Sequence, residues 1–262
     1  MAIQEEDSVL LQIEDKRAKI VINRPKALNA LNVDVLQSLL QKLEKVRKED
    51  ISVLTFWGAG DKAFVAGADI NSMNSFGQGA IADYVGLGQR VMRTIETFPA
   101  VCIAAVDGYA LGGGLELALA CDLIIAKEGA KLGQPEVNLG IIPGFGGTQR
   151  LVHRCGIGTA KRLILTGEII TAEEAYRLKV VDYLCSAEEF NSTVTKVTEN
   201  ILEKGPLAVK KAKEIVNCAV ERELLSGLTK EVEAFLKLFN TADREEGMNA
   251  FLQKRKAEFK GR

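Results

Sequence analysis

Short strand-like runs alternate with segments of helical period along this chain, and that alternation limits its possible folds more than any other feature. The runs SVLLQIEDK and AKIVINRP come first, and SVLTFWGAG, VCIAAVDG and DLIIAKE follow. Between them, leucines at the spacing i, i+3, i+4 and i+7 predict one buried helical face: Leu36, Leu39, Leu40 and Leu43. Asn32 is a candidate N-cap for this helix. Alternating strands and helices predict an α/β fold with parallel strand pairing.

The charge balance and the apolar pattern exclude several classes of protein. The 262 residues carry 34 Lys+Arg against 35 Asp+Glu, so no basic excess indicates general nucleic-acid binding. The amino-terminal stretch lacks the apolar segment of a signal peptide. The most apolar stretch, residues 99–126, contains Asp107, Glu116 and Asp122, and three acids are too costly in a lipid-facing helix. We therefore expect a cytoplasmic protein, or else a processed mature form, with neither a nucleic-acid nor a membrane partner.

Histidine and cysteine, the usual metal ligands, are sparse. The only histidine is His153, which we interpret as structural or exposed rather than catalytic. The five cysteines include no CxxC pair, which argues against a zinc ribbon or a thioredoxin-like motif. We expect free thiols in a reducing compartment and no metal site.

The texture of the sequence changes near residue 198, which divides the chain into two predicted parts. Residues 1–198 form the predicted core, and residues 199–262 form a charged, helical region after Gly205-Pro206. Two sets of apolar residues share helical faces there, namely Val232, Phe235, Leu236 and Phe239, and Met248, Phe251 and Leu252. Because so short a region cannot bury these faces alone, we expect it to pack on the core or on another subunit.

Glycine is concentrated where a binding site is expected. Of the 24 glycines, 17 lie between Gly58 and Gly147, and glycine permits sharp turns and close approach to a ligand. The motif KAFVAGADI, residues 62–70, ends a strand-like run in small residues that leave backbone N–H groups approachable. Such a group can stabilise a developing oxyanion, although for this motif alone a tight turn packed against a helix is the simpler interpretation.

A second motif, GYALGGGLELALACDL, places three glycines before a helical stretch. A helix N-terminus presents unpaired N–H donors that stabilise a carbonyl oxygen gaining negative charge. Glu116 lies in the first turn, where it could simply complement the helix dipole. Its apolar surroundings favour partial burial, which raises a carboxyl pKa and produces a group suited to proton transfer.

A third motif, GQPEVNLGIIPGFGGTQRL, carries Glu136 beside Pro135 and then a dense Pro/Gly loop. Its GFGG segment lacks the strand and the glycine spacing of a dinucleotide fingerprint, and the chain contains no GxxxxGK[ST] P-loop. Two carboxylates near two sets of backbone donors predict acid–base chemistry next to a polarised carbonyl. The residues alone do not indicate which substrate carries that carbonyl.

These three motifs, with NRPKALNAL before them and EGMNAFLQKRKAEF after them, resemble the crotonase, or enoyl-CoA hydratase/isomerase, superfamily along nearly the whole chain. The resemblance is strongest to the short-chain enoyl-CoA hydratases. It implies a crotonase-like α/β spiral of repeated ββα units with a C-terminal helical trimerisation region. It also implies a homotrimer that pairs into a hexamer.

The resemblance further implies the roles of individual residues. Ala66 and Gly113 would supply the two N–H groups of an oxyanion hole for the thioester carbonyl of an acyl-CoA. Glu116 would activate water, and Glu136 would deliver a proton to carbon 2. Gly144 resembles the residue whose N–H helps to orient a catalytic glutamate.

Coenzyme A would be bound as part of the substrate, with no separate cofactor. Its adenine would lie against Ala68, Asp69 and Ile70, with Lys26, Ala27 and Leu28 nearby and Lys26 close enough to pair with the phosphates. Phe251 and Lys254 match tail residues that reach the nucleotide from an adjacent subunit in the family. Helix packing for Phe251 and a solvated charge for Lys254 remain alternatives.

Two other functions are compatible with the resemblance. A double-bond isomerase is one, although isomerases of the family generally lack one of the two glutamates that are present here. A non-catalytic RNA-binding relative is the other, using the helix at residues 37–48, which carries Glu44 among its basic residues. The acyl tail would be walled by residues 70–97, in which Met73, Phe76 and Leu87 are candidates to limit chain length and the glycines predict mobility.

Overall fold

Successive strands of this chain alternate between two sheets. The computed structural model describes residues 7–74, 76–221, 235, 237 and 241–262. The strands are β1 (Val9–Glu14), β2 (Arg17–Ile22), β3 (Val53–Gly58), β4 (Ala63–Val65), β5 (Val101–Val106), β6 (Tyr109–Leu111), β7 (Leu123–Lys127), β8 (Lys131–Gly133), β9 (Ile169–Thr171) and β10 (Tyr183–Cys185). One sheet has the order β1-β2-β3-β5-β7-β10 and the other β4-β6-β8-β9, so from β3 to β8 the odd and even strands separate.

A helix follows each of the first three strand pairs. The helices are α1 (Val33–Arg47), α2 (Ile70–Asn74), α3 (Gln78–Glu96), α4 (Gly113–Ala120), α5 (Gly147–Thr166), α6 (Ala172–Arg177), α7 (Phe190–Leu202), α8 (Pro206–Glu221) and α9 (Ala242–Leu252). Pro25–Ala27 and Pro135–Leu139 form short 3-10 helices. The units β1-β2-α1, β3-β4-α2-α3 and β5-β6-α4 confirm the predicted ββα repeat and the α/β class.

The central strands pair as their sequence predicts. Strand β3 is parallel to both β2 and β5, and β5 is parallel to β7. The edge differs, because β1 and β2 form an antiparallel hairpin in which Val9 lies opposite Ile22. The short turn between these two strands allows antiparallel pairing, whereas parallel neighbours need a crossover connection.

Helix α1 forms as its leucine spacing predicts. The Asn32 side chain caps it by accepting a hydrogen bond from the Val35 N–H at 2.9 Å. Leu36, Leu39 and Leu43 are fully buried. Leu40 is partly buried and packs against the same core, so the whole predicted face is confirmed.

The six-stranded sheet separates two hydrophobic clusters. Alternate residues of β5 face opposite sides, so that Cys102 joins the larger cluster with α1, α3 and α4 while Ile103 joins the smaller one. Phe190 and Val194 of α7 complete the smaller cluster. Residues 99–126, the most apolar part of the sequence, therefore form the buried strand β5, the short strand β6, the short helix α4 and most of β7. Within the described part of the chain, no helix is both long and apolar enough to cross a membrane.

Helix α8 is fastened to the core by charged and polar contacts. Lys213 Nζ donates to the Ala100 carbonyl at 2.9 Å and to Asp122 Oδ2 at 2.6 Å. Asn217 donates to the Glu96 carbonyl at 3.0 Å. The predicted boundary at residue 198 falls inside α7. The division of the chain into two parts stays a prediction. Of the first predicted apolar face, Val232, Leu236 and Phe239 lie outside the described residues.

Candidate active site

The glycines at the start of α4 let other parts of the chain approach its backbone closely. Gly112 has a φ of 48°, which favours glycine, and a Cβ there would lie 2.9 Å from Glu136 Oε1. A Cβ on Gly114 would lie 1.8 Å from the Val65 carbonyl oxygen. These two positions let α4 start against β4 with every residue buried, and they bring Glu116 into the protein interior.

Glu116 is a buried carboxylate held by main-chain donors. Its side chain is 2 % exposed in the structure. Oε1 accepts hydrogen bonds from the N–H groups of Phe145 at 2.8 Å and Gly147 at 2.7 Å. Burial and the nearby Glu136 carboxylate raise the Glu116 pKa to about 7, against the opposing effect of the two N–H donors. Glu116 can therefore exchange a proton near neutral pH.

Glu136 is a half-buried carboxyl held by a side chain. It lies at the start of the 3-10 helix Pro135–Leu139, and burial raises its pKa. Gln134 precedes it and is fully buried. In the amide orientation that matches donors to acceptors, the Gln134 nitrogen donates to Glu136 Oε1 at 2.9 Å and Oε2 at 3.1 Å. Sequence reasoning missed Gln134, and its only signal was its position two residues before the glutamate.

The two predicted carboxylates lie in one site. Glu136 Oε1 abuts Gly112, the residue before α4, while Glu116 projects from the first turn of that helix. A Cβ on Gly147 would touch both Glu116 Oε1 at 3.0 Å and the Gln134 amide at 2.7 Å. The raised pKa of Glu116 reflects the Glu136 charge in addition to burial. The site therefore contains two carboxyl groups whose different environments suit them to different steps of proton transfer.

The structure corrects the predicted oxyanion donor Ala66. The Ala66 N–H donates to the Leu28 carbonyl at 3.0 Å, so it already has an acceptor. Gly67, at a φ of 115°, changes the chain direction immediately afterwards. Among the described residues the N–H of Ala68 has no acceptor, and a Cβ on Gly113 would lie 3.5 Å from the Ala68 nitrogen. Ala68 and Gly113 therefore form the pair of donors that the geometry offers.

The structure also corrects the residue predicted to orient a glutamate. Gly144 contributes its carbonyl, which accepts from Gln89 Nε2 at 3.0 Å. The N–H groups that hold Glu116 belong to Phe145 and Gly147 in the same loop. The prediction found the correct loop, but single-residue accuracy required the path of the backbone.

The two predicted coenzyme A segments lie side by side. Leu31 and Ala68 form an isolated parallel bridge that joins them. Leu28 and Ile70 expose apolar side chains, 37 % and 55 % respectively, and Lys26 is exposed in the same region. Such a surface offers apolar contact to a flat ring and a cation to a phosphate.

Asp69 has a structural role between these segments. Its carboxylate forms an ion pair with Arg24 at 3.1 Å and accepts from the Ser72 N–H at 3.1 Å. Burial opposes ionisation of Asp69, but hydrogen bonds from Ser72 and Arg24 hold its pKa below the ordinary value. Asp69 is thereby fixed as a carboxylate that starts α2.

The predicted tail contacts are only partly described. Lys254 is exposed just beyond α9, at a φ of 54°. The Phe251 side chain lies outside the described part of the structure. Contact of either residue with a nucleotide therefore stays a prediction, as does its assignment to a neighbouring subunit.

Two other predicted features have clear positions. His153 is exposed on α5, consistent with a surface role. On α1, the candidate RNA-binding helix, Lys42 pairs with Asp7 at 2.7 Å and Arg47 with Glu44 at 3.8 Å. Neighbouring acids thus offset part of the positive charge that an RNA-binding surface needs.

Known proteins resemble this chain along almost its whole length. A family model described as Enoyl-CoA hydratase/isomerase matches residues 12–262. A crotonyl-CoA hydratase of Syntrophomonas wolfei subsp. wolfei is 45% identical over 97% of this chain and 98% of its own. A short-chain-enoyl-CoA hydratase of Clostridium acetobutylicum is 42% identical over 98% of this chain and 99% of its own. The crystal structure of an enoyl-CoA hydratase from Bacillus anthracis superposes with a TM-score of 0.94 at 37% identity, covering 97% of this chain and 100% of the other.

Proposed function

The chain belongs to the enoyl-CoA hydratase/isomerase family, and from that premise we propose that it is a hydratase of short-chain 2-trans-enoyl-CoA thioesters. The observation that carries this proposal is the presence of Glu116 and Glu136 in one site beside two backbone donors. The reaction is syn addition of water across the double bond, and in reverse it is dehydration of a 3-hydroxyacyl-CoA. The metabolic setting is fatty-acid β-oxidation or short-chain CoA metabolism.

The backbone donors polarise the substrate. In the proposed complex, the N–H groups of Ala68 and Gly113 bind the thioester oxygen. Because the double bond is conjugated to that carbonyl, electron withdrawal makes carbon 3 electrophilic. Loss of one such donor typically raises the barrier by about 3–4 kcal/mol. The position of Gly113 at the start of α4 adds the partial positive charge of the helix N-terminus.

The two glutamates each carry out one of the two proton transfers. Glu116 accepts a proton from water while the hydroxyl oxygen bonds to carbon 3. Glu136, whose pKa is raised by burial, gives its proton to carbon 2. Each turnover moves one proton onto Glu116 and one off Glu136, and exchange with solvent restores both groups.

Coenzyme A enters this reaction as the substrate's carrier, so no separate cofactor is needed. Lys26 would face the phosphates, while Leu28 and Ile70 would contact the adenine. Phe251 and Lys254 would complete the nucleotide site from a neighbouring subunit in a trimer that pairs into a hexamer. Light scattering of the purified protein would test this assembly through a mass of three or six chains of 28.5 kDa each. We expect the protein in the cytoplasm.

The pair of carboxylates favours hydration over isomerisation. Shifting a double bond needs one proton relay, whereas activating water and protonating carbon 2 benefit from two groups. The buried Glu116 would have little purpose in a one-relay isomerase, since the free energy of burying a carboxylate is large. An isomerase would therefore keep most of its activity when Glu116 is replaced by Gln.

The direct test is the loss of conjugated-thioester absorbance from crotonyl-CoA. We expect rapid hydration by the wild-type protein and a loss of kcat of about 100-fold or more in Glu136→Gln, the usual range for a general acid. Glu116→Gln should lose kcat to a similar extent. Conversion of 3-hexenoyl-CoA, but not crotonyl-CoA, by the wild-type protein would contradict the hydratase proposal and indicate an isomerase.

A further inference from the structure

The ring of Phe145 is enclosed by two glycines. It is 3 % exposed. A Cβ on Gly88 of α3 would lie 2.2 Å from ring atoms Cδ1 and Cε1, and a Cβ on Gly113 of α4 would lie 3.2 Å from Cδ2 and Cε2. A side chain at position 88 would therefore overlap one edge of the ring, and one at position 113 would press tightly on the other edge, so the ring has little freedom to shift sideways.

Two further aromatic rings continue from Phe145 toward the start of α3. Tyr84 packs edge-on against Phe145 with ring centroids 5.3 Å apart, and Phe76 packs against Tyr84 at 5.5 Å. The Tyr84 hydroxyl donates to the Leu31 carbonyl at 2.6 Å, which fixes the middle ring. Phe76 is one of the residues predicted to limit acyl chain length, so the row connects that wall to the catalytic loop.

The main chain of Phe145 is bound to the acid–base site. Its N–H donates to Glu116 Oε1 at 2.8 Å. Its carbonyl accepts from Arg150 Nη1 at 3.0 Å, and Arg150 also pairs with Glu96 at the end of α3. The side chain of Phe145 is thus positioned by α3, while its backbone positions Glu116. The Phe145 nitrogen is two bonds from the Cβ that carries the ring. A displacement of the ring therefore also moves the N–H group that binds Glu116.

From these contacts we propose that Phe145 couples acyl chain length to acid–base catalysis. Because the ring lies against Gly113, the donor assigned to the thioester oxygen, an acyl tail bound to that donor would run beside the ring. A tail long enough to press on the ring draws the Phe145 N–H away from Glu116. Longer substrates therefore lose kcat, and not only binding. This inference rests on the proposed function, because it needs an acyl thioester in the site.

A matched pair of variants separates this role from helix packing. Gly88→Ala places a methyl group against the Phe145 ring, whereas a Cβ on Gly86 of the same helix meets nothing within 4 Å. Both substitutions add the same atoms and the same helix propensity. A third variant, Phe145→Ala, removes the ring, and combining it with Gly88→Ala gives a double-mutant cycle for the contact.

The experiment measures kcat and KM for crotonyl-, hexenoyl- and octenoyl-CoA. We expect Gly88→Ala to lower kcat for crotonyl-CoA about tenfold with little change in KM, since a catalytic group displaced by a fraction of an ångström loses rate rather than binding. The acid limb of its pH profile should move to higher pH, because loss of an N–H donor raises the pKa of Glu116. Gly86→Ala should retain the wild-type values.

The chain-length readout uses the ratio of kcat for octenoyl-CoA to kcat for crotonyl-CoA. We expect Phe145→Ala to raise this ratio about tenfold or more, and Gly88→Ala to have no further effect once the ring is absent. Equal behaviour of Gly88→Ala and Gly86→Ala, or an unchanged ratio in Phe145→Ala, would overturn the coupling while wild-type turnover of crotonyl-CoA upholds the hydratase. A wild-type protein that hydrates none of the three thioesters would overturn both.

Discussion

Glu116 and Glu136 share one site, but different parts of the chain hold them in different ways. Glu116 comes from a helix, is 2 % exposed, and is bound by two main-chain N–H groups. Glu136 comes from a 3-10 helix, is half-buried, and is bound by the amide of Gln134. One carboxylate is therefore positioned by the backbone of a loop, and the other by a single side chain.

This difference determines how each position can be disturbed. A main-chain N–H remains when the side chain of its residue is replaced. The hydrogen bonds that hold Glu116 are therefore lost only when the loop itself moves. A side-chain donor disappears in one substitution, so Glu136 depends directly on the identity of Gln134. The difference also suits the proposed mechanism, in which Glu116 holds water in a fixed direction and Glu136 releases a proton.

The largest effect should come from moving the loop that holds Glu116. Gly147→Ala places a Cβ 3.0 Å from Glu116 Oε1 and 2.7 Å from the Gln134 amide. We expect kcat for crotonyl-CoA to fall about 100-fold, the cost of misplacing a catalytic group by about an ångström. Gly158→Ala in the same helix α5 is the control, since its Cβ meets nothing within 4 Å. Equal rates for the two variants would show that catalysis does not depend on the close approach of the Gly147 backbone to Glu116 and Gln134.

A second effect should appear in stability as a function of pH. Burial raises the Glu116 pKa from 4.5 to about 7. A carboxyl whose pKa is higher in the folded state favours folding below pH 4.5 and loses that contribution as pH rises to about 7, by about 3 kcal/mol. Glu116→Gln removes this dependence. Between pH 4.5 and pH 8, the unfolding free energy of the wild-type protein should therefore fall by about 3 kcal/mol more than that of the variant.

Urea unfolding at both pH values, at one fixed chain concentration because assembly also stabilises, measures this difference. The comparison is between the wild-type and variant changes in unfolding free energy. Parallel changes would mean that Glu116 is not desolvated in the folded protein.

The smallest effect should come from the side-chain support of Glu136. Gln134→Leu keeps the volume close to that of Gln but removes the donor to the carboxylate. We expect kcat to fall about tenfold, equal to about 1.4 kcal/mol and typical of one hydrogen bond to a charged group. Gln134→Glu cannot donate when ionised and should be worse than Leu. A variant as active as wild type would mean that Glu136 is positioned by its backbone as well.

The fold could be predicted because its signals are local. The leucine spacing of α1 and the cap at Asn32 lie within a few residues of what they determine. The alternating strands and helices likewise predicted the parallel pairing of β3, β5 and β7. The antiparallel pairing of β1 with β2 was not predicted, although the short turn between them was visible in the sequence.

The site could be predicted in part. Glu116 and Glu136 were identified from their surroundings, but the donors around them were shifted by one to three residues. The Ala66 N–H faces the Leu28 carbonyl, whereas the Ala68 N–H faces Gly113. The positive φ of Gly67 turns the chain between these two residues. The contact between Gly88 and Phe145 joins residues 57 positions apart, so no local pattern contains it.

The ion pair between Lys213 and Asp122 has a consequence for the newly made chain. Synthesis proceeds from the amino terminus, and domains begin to fold as they emerge. Lys213 is made 91 residues after Asp122. By then the chain already contains Glu116, Glu136 and the loop that leads into α5. Until the ribosome has delivered α8, the nascent protein contains its acid–base pair but lacks the lysine that binds Asp122. The Cys102 N–H can bind that carboxylate earlier, but its ion pair forms only after α8 has been made.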